Sequence, residues 1–270
     1  MKKFLISMFI LSTLALMGCT TSNTRPHIDK VSVSASDAPE VHGLNANGNP
    51  HSAMLRVNGK IGYSKQKDEN VKPSGSYKLW YEMGGVDVAG KMDALYKIDH
   101  FVIGGGFGID DGIFYHFTSG WNFSHFELGA FLGIFNQLYN VQYSGKKCEA
   151  TKTRVISLDG LVLGSEEYCT SYTPFEEDKY KFGFDPFLGV FAGTFIDKFF
   201  VNYSLSFYTS YLEIESKSLD MPLVISHYFN LGYRFNKKFD FSIGTVLTKA
   251  DSKKSEWVYG INAGISYFLL

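Results

Sequence analysis

The chain has 270 residues and a formal net charge of −1, a balance that removes any electrostatic case for nucleic-acid binding. Aromatic residues make up 16% and glycine supplies 27 positions, both high for a soluble domain. No apolar run reaches the roughly 18 residues that a membrane helix needs, which excludes helical spans.

Lys2 and Lys3 precede an apolar stretch, Phe4 to Leu16, that is too short to cross a bilayer. This is the pattern of a secretory signal peptide covering residues 1–18. Leu16-Met17-Gly18-Cys19 resembles a bacterial lipobox, in which a small residue precedes the cysteine that receives lipid. The resemblance implies lipid attachment at Cys19, and no A-x-A-like cleavage site lies nearby. Acylation of Cys19 leaves an even pair, Cys148 and Cys169, expected to close as a disulfide in an oxidising compartment. Closing that loop restricts the unfolded chain by roughly 3 kcal/mol. Residues 19–52 are rich in Ser, Asn, Thr and Gly and read as a flexible, lipid-anchored tether on the periplasmic side, with Val31 and Val33 the only hint of a strand.

From residue 53 onward the spacing predicts strands. In 53–64, Leu55, Val57, Gly59, Ile61 and Tyr63 share one face, against Met54, Arg56, Asn58, Lys60 and Ser64 on the other. A second strand, 75–98, changes parity at Gly84-Gly85, where a bulge is expected. The stretch Asp99 to Gly112, DHFVIGGGFGIDDG, invites comparison with a phosphate-cradling loop. The third glycine of G-x-G-x-x-G falls on Ile109, however, no helical pattern follows, and no G-K-[ST] is present. Period two accounts for it better. Phe101, Ile103, Gly105, Phe107 and Ile109 face one way, and Val102, Gly104, Gly106 and Gly108 the other, before an Asp110-Asp111-Gly112 turn.

The alternation continues through 113–123, 126–145, 178–196, 199–213, 222–235, 239–249 and 256–269, ten strands in all. Four short connections share an apolar residue, a small polar one, Lys or His, and Phe: 98–101, 123–126, 196–199 and 235–239. These read as tight turns on one rim. The other five connections, 65–74, 110–112, 146–177, 214–221 and 250–255, are mostly longer and polar. Backbone groups in lipid must find partners within the protein, so such strands must close into a ring. The soluble alternative is a β-sandwich or lipocalin-like barrel with its apolar faces inward; the bare glycine faces and the aromatic load argue against it.

Over residues 53–270 the sequence resembles the small outer-membrane β-barrel proteins of Gram-negative bacteria. That class often closes with polar, any, Gly, two of any, apolar, any, apolar, a signal read by the barrel-assembly machinery. Asn262, Gly264, Tyr267 and Leu269 supply it here. The resemblance implies an all-β, closed, antiparallel up-and-down barrel of about ten strands. It also implies a bacterial outer-membrane location, contact with outer-membrane lipid, and dependence on the barrel-assembly and lipoprotein-sorting machinery.

Chemistry is thinly signalled. Some small barrels trim lipid A with a Ser–His pair, and His116 with Ser119, or Ser226 with His227, are the candidates; strand parity sets each pair on opposite faces. No metal-ligand spacing or cofactor motif is present. About ten strands enclose a narrow lumen that side chains largely fill. Phe131, Phe187, Phe191 and Phe195 are expected inside it, with Arg56, Lys60, Lys78, Glu82, Lys179, Lys181, Asp185 and Arg234 as a charged network. The expectation is a non-enzymatic barrel lipoprotein acting structurally or through surface contact by the long loop 146–177. A narrow channel or small-ligand transporter is the alternative, and a lipid A-modifying hydrolase the third reading.

Overall fold

The computed structural model describes residues 21–23, 27–35, 37–41, 52–71, 78–123, 125–158, 161–214, 217–220, 222–236, 238–251 and 256–269. The expected signal peptide and Cys19 lie outside them. Among the described residues the regular structure is all strand. The first two strands are β1 (Thr21–Asn23) and β2 (His27–Ala35). Five follow: β3 (Ser52–Val71), β4 (Lys78–Ile98), β5 (Phe101–Ile109), β6 (Gly112–Asn122) and β7 (Phe126–Leu158). Next come β8 (Leu161–Phe182), β9 (Asp185–Ile196), β10 (Phe199–Tyr208), β11 (Tyr211–Ile214) and β12 (Lys217–Asp220). The chain finishes with β13 (Val224–Asn236), β14 (Phe239–Ala250) and β15 (Val258–Leu269).

Ten of these strands pair antiparallel in a ring: β3, β4, β5, β6, β7, β9, β10, β13, β14, β15 and back to β3. The last seam joins Leu269 to Leu55 and Gly260 to Ser64, so the sheet has no free border. The expected count and closure are met, and every strand of the ring overlaps a stretch read from the sequence, although β3 and β7 run on to Val71 and Leu158 through expected connections, β9 begins only at Asp185, and β10 ends at Tyr208. The second strand stays whole. Gly84 and Gly85 take φ of 101° and 127°, and the opposing register slips between Ser64 and Lys67. Only glycine adopts such angles without strain, so the irregularity is seated where the parity changes.

The tight turns are built by short polar residues. Asp99 and Asp197 take left-handed φ of 50° and 58°, which a two-residue hairpin turn requires. At the third such turn Asn236 Oδ1 accepts from the backbone N–H groups of Lys238 and Phe239. In the Asp110-Asp111-Gly112 turn it is Asp111 that takes the positive φ, 48°, and Gly112 opens β6.

The chain forms two compact units. One comprises residues 32–141 and 179–270 and contains the ring. The other comprises residues 1–31 and 142–178. The second corrects one expectation. Residues 146–177 are not irregular; the far ends of β7 and β8 pair as a hairpin. A Cys148–Cys169 disulfide staples them, with Cα atoms 5.7 Å apart, and Thr170 donates to the Ala150 carbonyl. The 214–221 connection likewise holds a small hairpin, β11 with β12.

Candidate functional site: a filled lumen

Alternation settles which face each side chain takes. Ile61, Val86, Leu132, Leu188 and Ile261 stand 58–70% exposed on the outside of the ring. Their neighbours Arg56, Asp93, Glu127, Asp185 and Asn230 are buried within it. A water-soluble barrel would reverse this arrangement, and no soluble monomer exposes so continuous an apolar wall. The soluble lipocalin-like alternative is therefore excluded by the side-chain directions.

One part of the lumen is aromatic. Phe114 sits edge-on to both Phe135 and Phe187, at centroid distances of 6.4 and 6.2 Å. Phe131 lies 6.1 Å from Phe187, and Phe135 lies 6.0 Å from Tyr208. Phe131, Phe187 and Phe191 point inward as expected, while Phe195 is half-buried against Phe200. Glycines make room for these rings. A Cβ on Gly189 would strike the Phe131 ring, and one on Gly232 would strike Phe200. Gly106, from the opening glycine run, serves the charged part instead. A Cβ there would come within 2.6 Å of Asp93 Oδ1 and 2.9 Å of His116 Nε2.

The charged part centres on Asp93. Arg56 donates to its Oδ2 from Nε at 2.9 Å and from Nη2 at 2.7 Å, and His116 Nε2 lies 2.8 Å from Oδ1. Nearby, Lys97 donates to Asn122 Oδ1 at 2.9 Å, and Asn122 Nδ2 donates to Glu127. Tyr139 donates to Asp185 Oδ2 at 2.7 Å. Arg234 reaches both oxygens of Asp240, at 2.9 and 3.1 Å. Lys60 pairs with Asp87 at 3.1 Å. Of the expected network, Arg56, Lys60, Asp185 and Arg234 are therefore in the lumen. Lys179 and Lys181 are half-buried, and the side chains of Lys78 and Glu82 lie outside the described ones. Asp87, Lys91, Asp93, Lys97 and Glu127 were missed. The parity change at Gly84-Gly85 turns the odd-numbered members of 87–97 inward, and that was the signal for the first four.

The segment 37–41 occupies the lumen as well. The Ala38 N–H donates to Ser226 Oγ at 3.0 Å, and Tyr228 donates to the Ala38 carbonyl at 2.6 Å. Ser206 donates to the Pro39 carbonyl at 3.0 Å. Lys91 donates to the Glu40 carbonyl at 2.9 Å and Asn230 to its Oε1 at 2.5 Å, while Lys60 Nζ lies 3.7 Å from Oε2. These five residues were expected to belong to a free tether. They are instead a plug, because the lumen offers polar partners to a backbone that has none of its own.

Neither candidate Ser–His pair forms. His116 is engaged with Asp93 while Ser119 lies on the opposite face of β6. Ser226 is bonded to Ala38 and lies 2.9 Å from Thr248 Oγ1. His227 is on the outer face, its Nδ1 2.9 Å from the Tyr203 hydroxyl. The closing-strand residues flank the last seam: Asn262 and Gly264 face inward, while Tyr267, 4.8 Å from Phe239, and Leu269 face outward.

A closed strand ring with an apolar outer wall and its charges inside is a transmembrane β-barrel. No protein-family model and no curated protein matches the chain. Among solved structures it is similar to the outer-membrane protease OmpT from Escherichia coli, at 11% identity and a TM-score of 0.40 over 82% of this chain and 97% of that one. An outer-membrane channel from Pseudomonas putida F1 aligns at 10% identity and a TM-score of 0.44, over 85% and 100%. The NanC porin aligns at 10% and 0.39, over 80% and 99%.

Proposed function

We propose that this chain is a non-enzymatic bacterial outer-membrane lipoprotein of barrel form, acting structurally or by surface contact through the stapled arm 146–177. The observation that carries the reading is the lumen. Aromatic rings, ion pairs and the 37–41 plug fill it, so bulk solute has no open path. The arm carries exposed Tyr168 and Tyr172 and is locked by its disulfide. Long insertions on a rigid scaffold are common places for recognition. Acylation at Cys19, folding by way of the Asn262–Leu269 signal, and service by the sorting machinery belong to the same proposal. It needs no cofactor.

A narrow channel is the second reading, favoured by the polar character of the plug contacts, which water can replace. Lipid A hydrolysis is the weakest, since neither Ser–His pair comes together. In planar bilayers the purified protein is expected to be silent. Cells carrying a deletion of 150–167 are expected to lose binding to host or sugar surfaces. Steady conductance of the intact chain, or adhesion indifferent to the deletion, overturns the reading.

A further inference from the structure

We infer that the chain before Ser32 leaves the barrel at the rim opposite the short turns, so that Cys19 and any acyl group it carries are delivered at the cell surface and not in the periplasm. The inference rests on the membrane-barrel reading above, and it reverses the side expected from the sequence.

The first observation lies within the barrel unit. Ser52 pairs with Lys97, one residue from the tight turn after Ile98, so β3 begins at the short-turn rim. The plug stands further up. Ala38 is held by Ser226, two residues from Val224, which opens β13 at the opposite rim. Glu40 is held by Asn230, four residues deeper along the same strand. From Ala38 to Glu40 the segment therefore descends from the loop-side rim toward the short-turn rim. Ser32 and the fully buried Val33 precede it in the chain.

The second observation lies within the other unit and is independent of the first. Thr21, Ser22 and Asn23 pair in parallel with Glu166, Glu167 and Tyr168 of β8. That strand follows β7, which starts at the short-turn rim with Phe126 and crosses the ring along β6 as far as Gln137. Thr21 is thus tied to a strand that the chain forms only after it has crossed the ring. Thr21 stands two positions after Cys19, at most about 7 Å of extended chain. A lipid on Cys19 cannot stand in the inner leaflet while that pairing holds.

The test uses single-cysteine reporters in otherwise unaltered, full-length protein, labelled in intact cells with a membrane-impermeant maleimide. Asp29→Cys reports the segment before the plug, Lys152→Cys the arm, and Asp197→Cys a short turn; all three positions are exposed. Asp29→Cys and Lys152→Cys are expected to label equally in intact and permeabilised cells, and Asp197→Cys only after permeabilisation. Asp29→Cys behaving like Asp197→Cys overturns the inference. The barrel reading fails separately if Lys152→Cys is dark, or Asp197→Cys bright, on intact cells. As a second measurement, an epitope inserted between residues 24 and 26 should bind antibody on intact cells; binding only after permeabilisation also overturns the inference.

Discussion

The lumen is closed by two devices of different character. Around β6, β7 and β9 it is closed by rings of the wall itself, Phe114, Phe131, Phe135 and Phe187, seated on inward glycines. Around β3, β4 and β13 it is closed by a separate stretch of chain bonded to Lys91, Asn230, Ser226 and Tyr228. The first closure is fixed by the fold. The second depends on a few polar contacts of about 0.5–1.5 kcal/mol net each, any of which water can replace. A barrel that needed only to be shut could have used rings throughout, so the difference marks the plugged region as the one able to change.

The largest effect is expected at Asp93. Asp93→Ala removes the buried carboxylate that both Arg56 and His116 engage and should cost about 3–5 kcal/mol, read as a lower unfolding midpoint by heat-modifiable gel migration. Replacing both partners, Arg56→Met with Asp93→Leu, should recover most of that loss; no recovery would mean that Asp93 matters for another reason, His116 being the first suspect. Next comes Phe187→Ala, which opens a cavity in the aromatic part and should cost about 3 kcal/mol while planar bilayers stay silent, because the neighbouring rings of Phe114, Phe131 and Phe135 still fill that part. Glu40→Ala should have the opposite profile, about 1 kcal/mol of stability but intermittent conductance. If Phe187→Ala conducts and Glu40→Ala does not, the contrast between the two closures is wrong. The smallest effect on the barrel is expected from Cys148→Ser with Cys169→Ser. The arm becomes sensitive to protease on intact cells, yet the barrel midpoint stays where it was, since the bridge closes only a loop of the arm.

Strand positions and outward faces could be read from the sequence because hydrocarbon imposes one rule at every second residue from Leu55 to Leu269. The tight turns could be read for a similarly local reason, since Asp and Asn tolerate the left-handed backbone that a short hairpin needs. The lumen could be read only in part. Arg56 and Asp185 advertise themselves as charges on an inward face, but that Asp93 is the partner of Arg56 depends on the register of β3 against β4. The plug was not legible. Asp37 to Val41 carries no period and few apolar residues, and its backbone partners come from positions about 50–190 residues away. The arm reads as irregular chain because its polar, charged composition looks like solvent-exposed loop, although strands that face water on both sides have that composition too.

One consequence follows for how the molecule is made. The plug lies directly upstream of β3, and β3 forms the final seam with β15, between the first and last strands of the ring. A peptide encircled by an unbroken hydrogen-bonded wall cannot be slipped in sideways afterwards. Once the first and last staves have met it can enter only end-on, so the step that shuts the cask decides the route by which the plug reaches its seat.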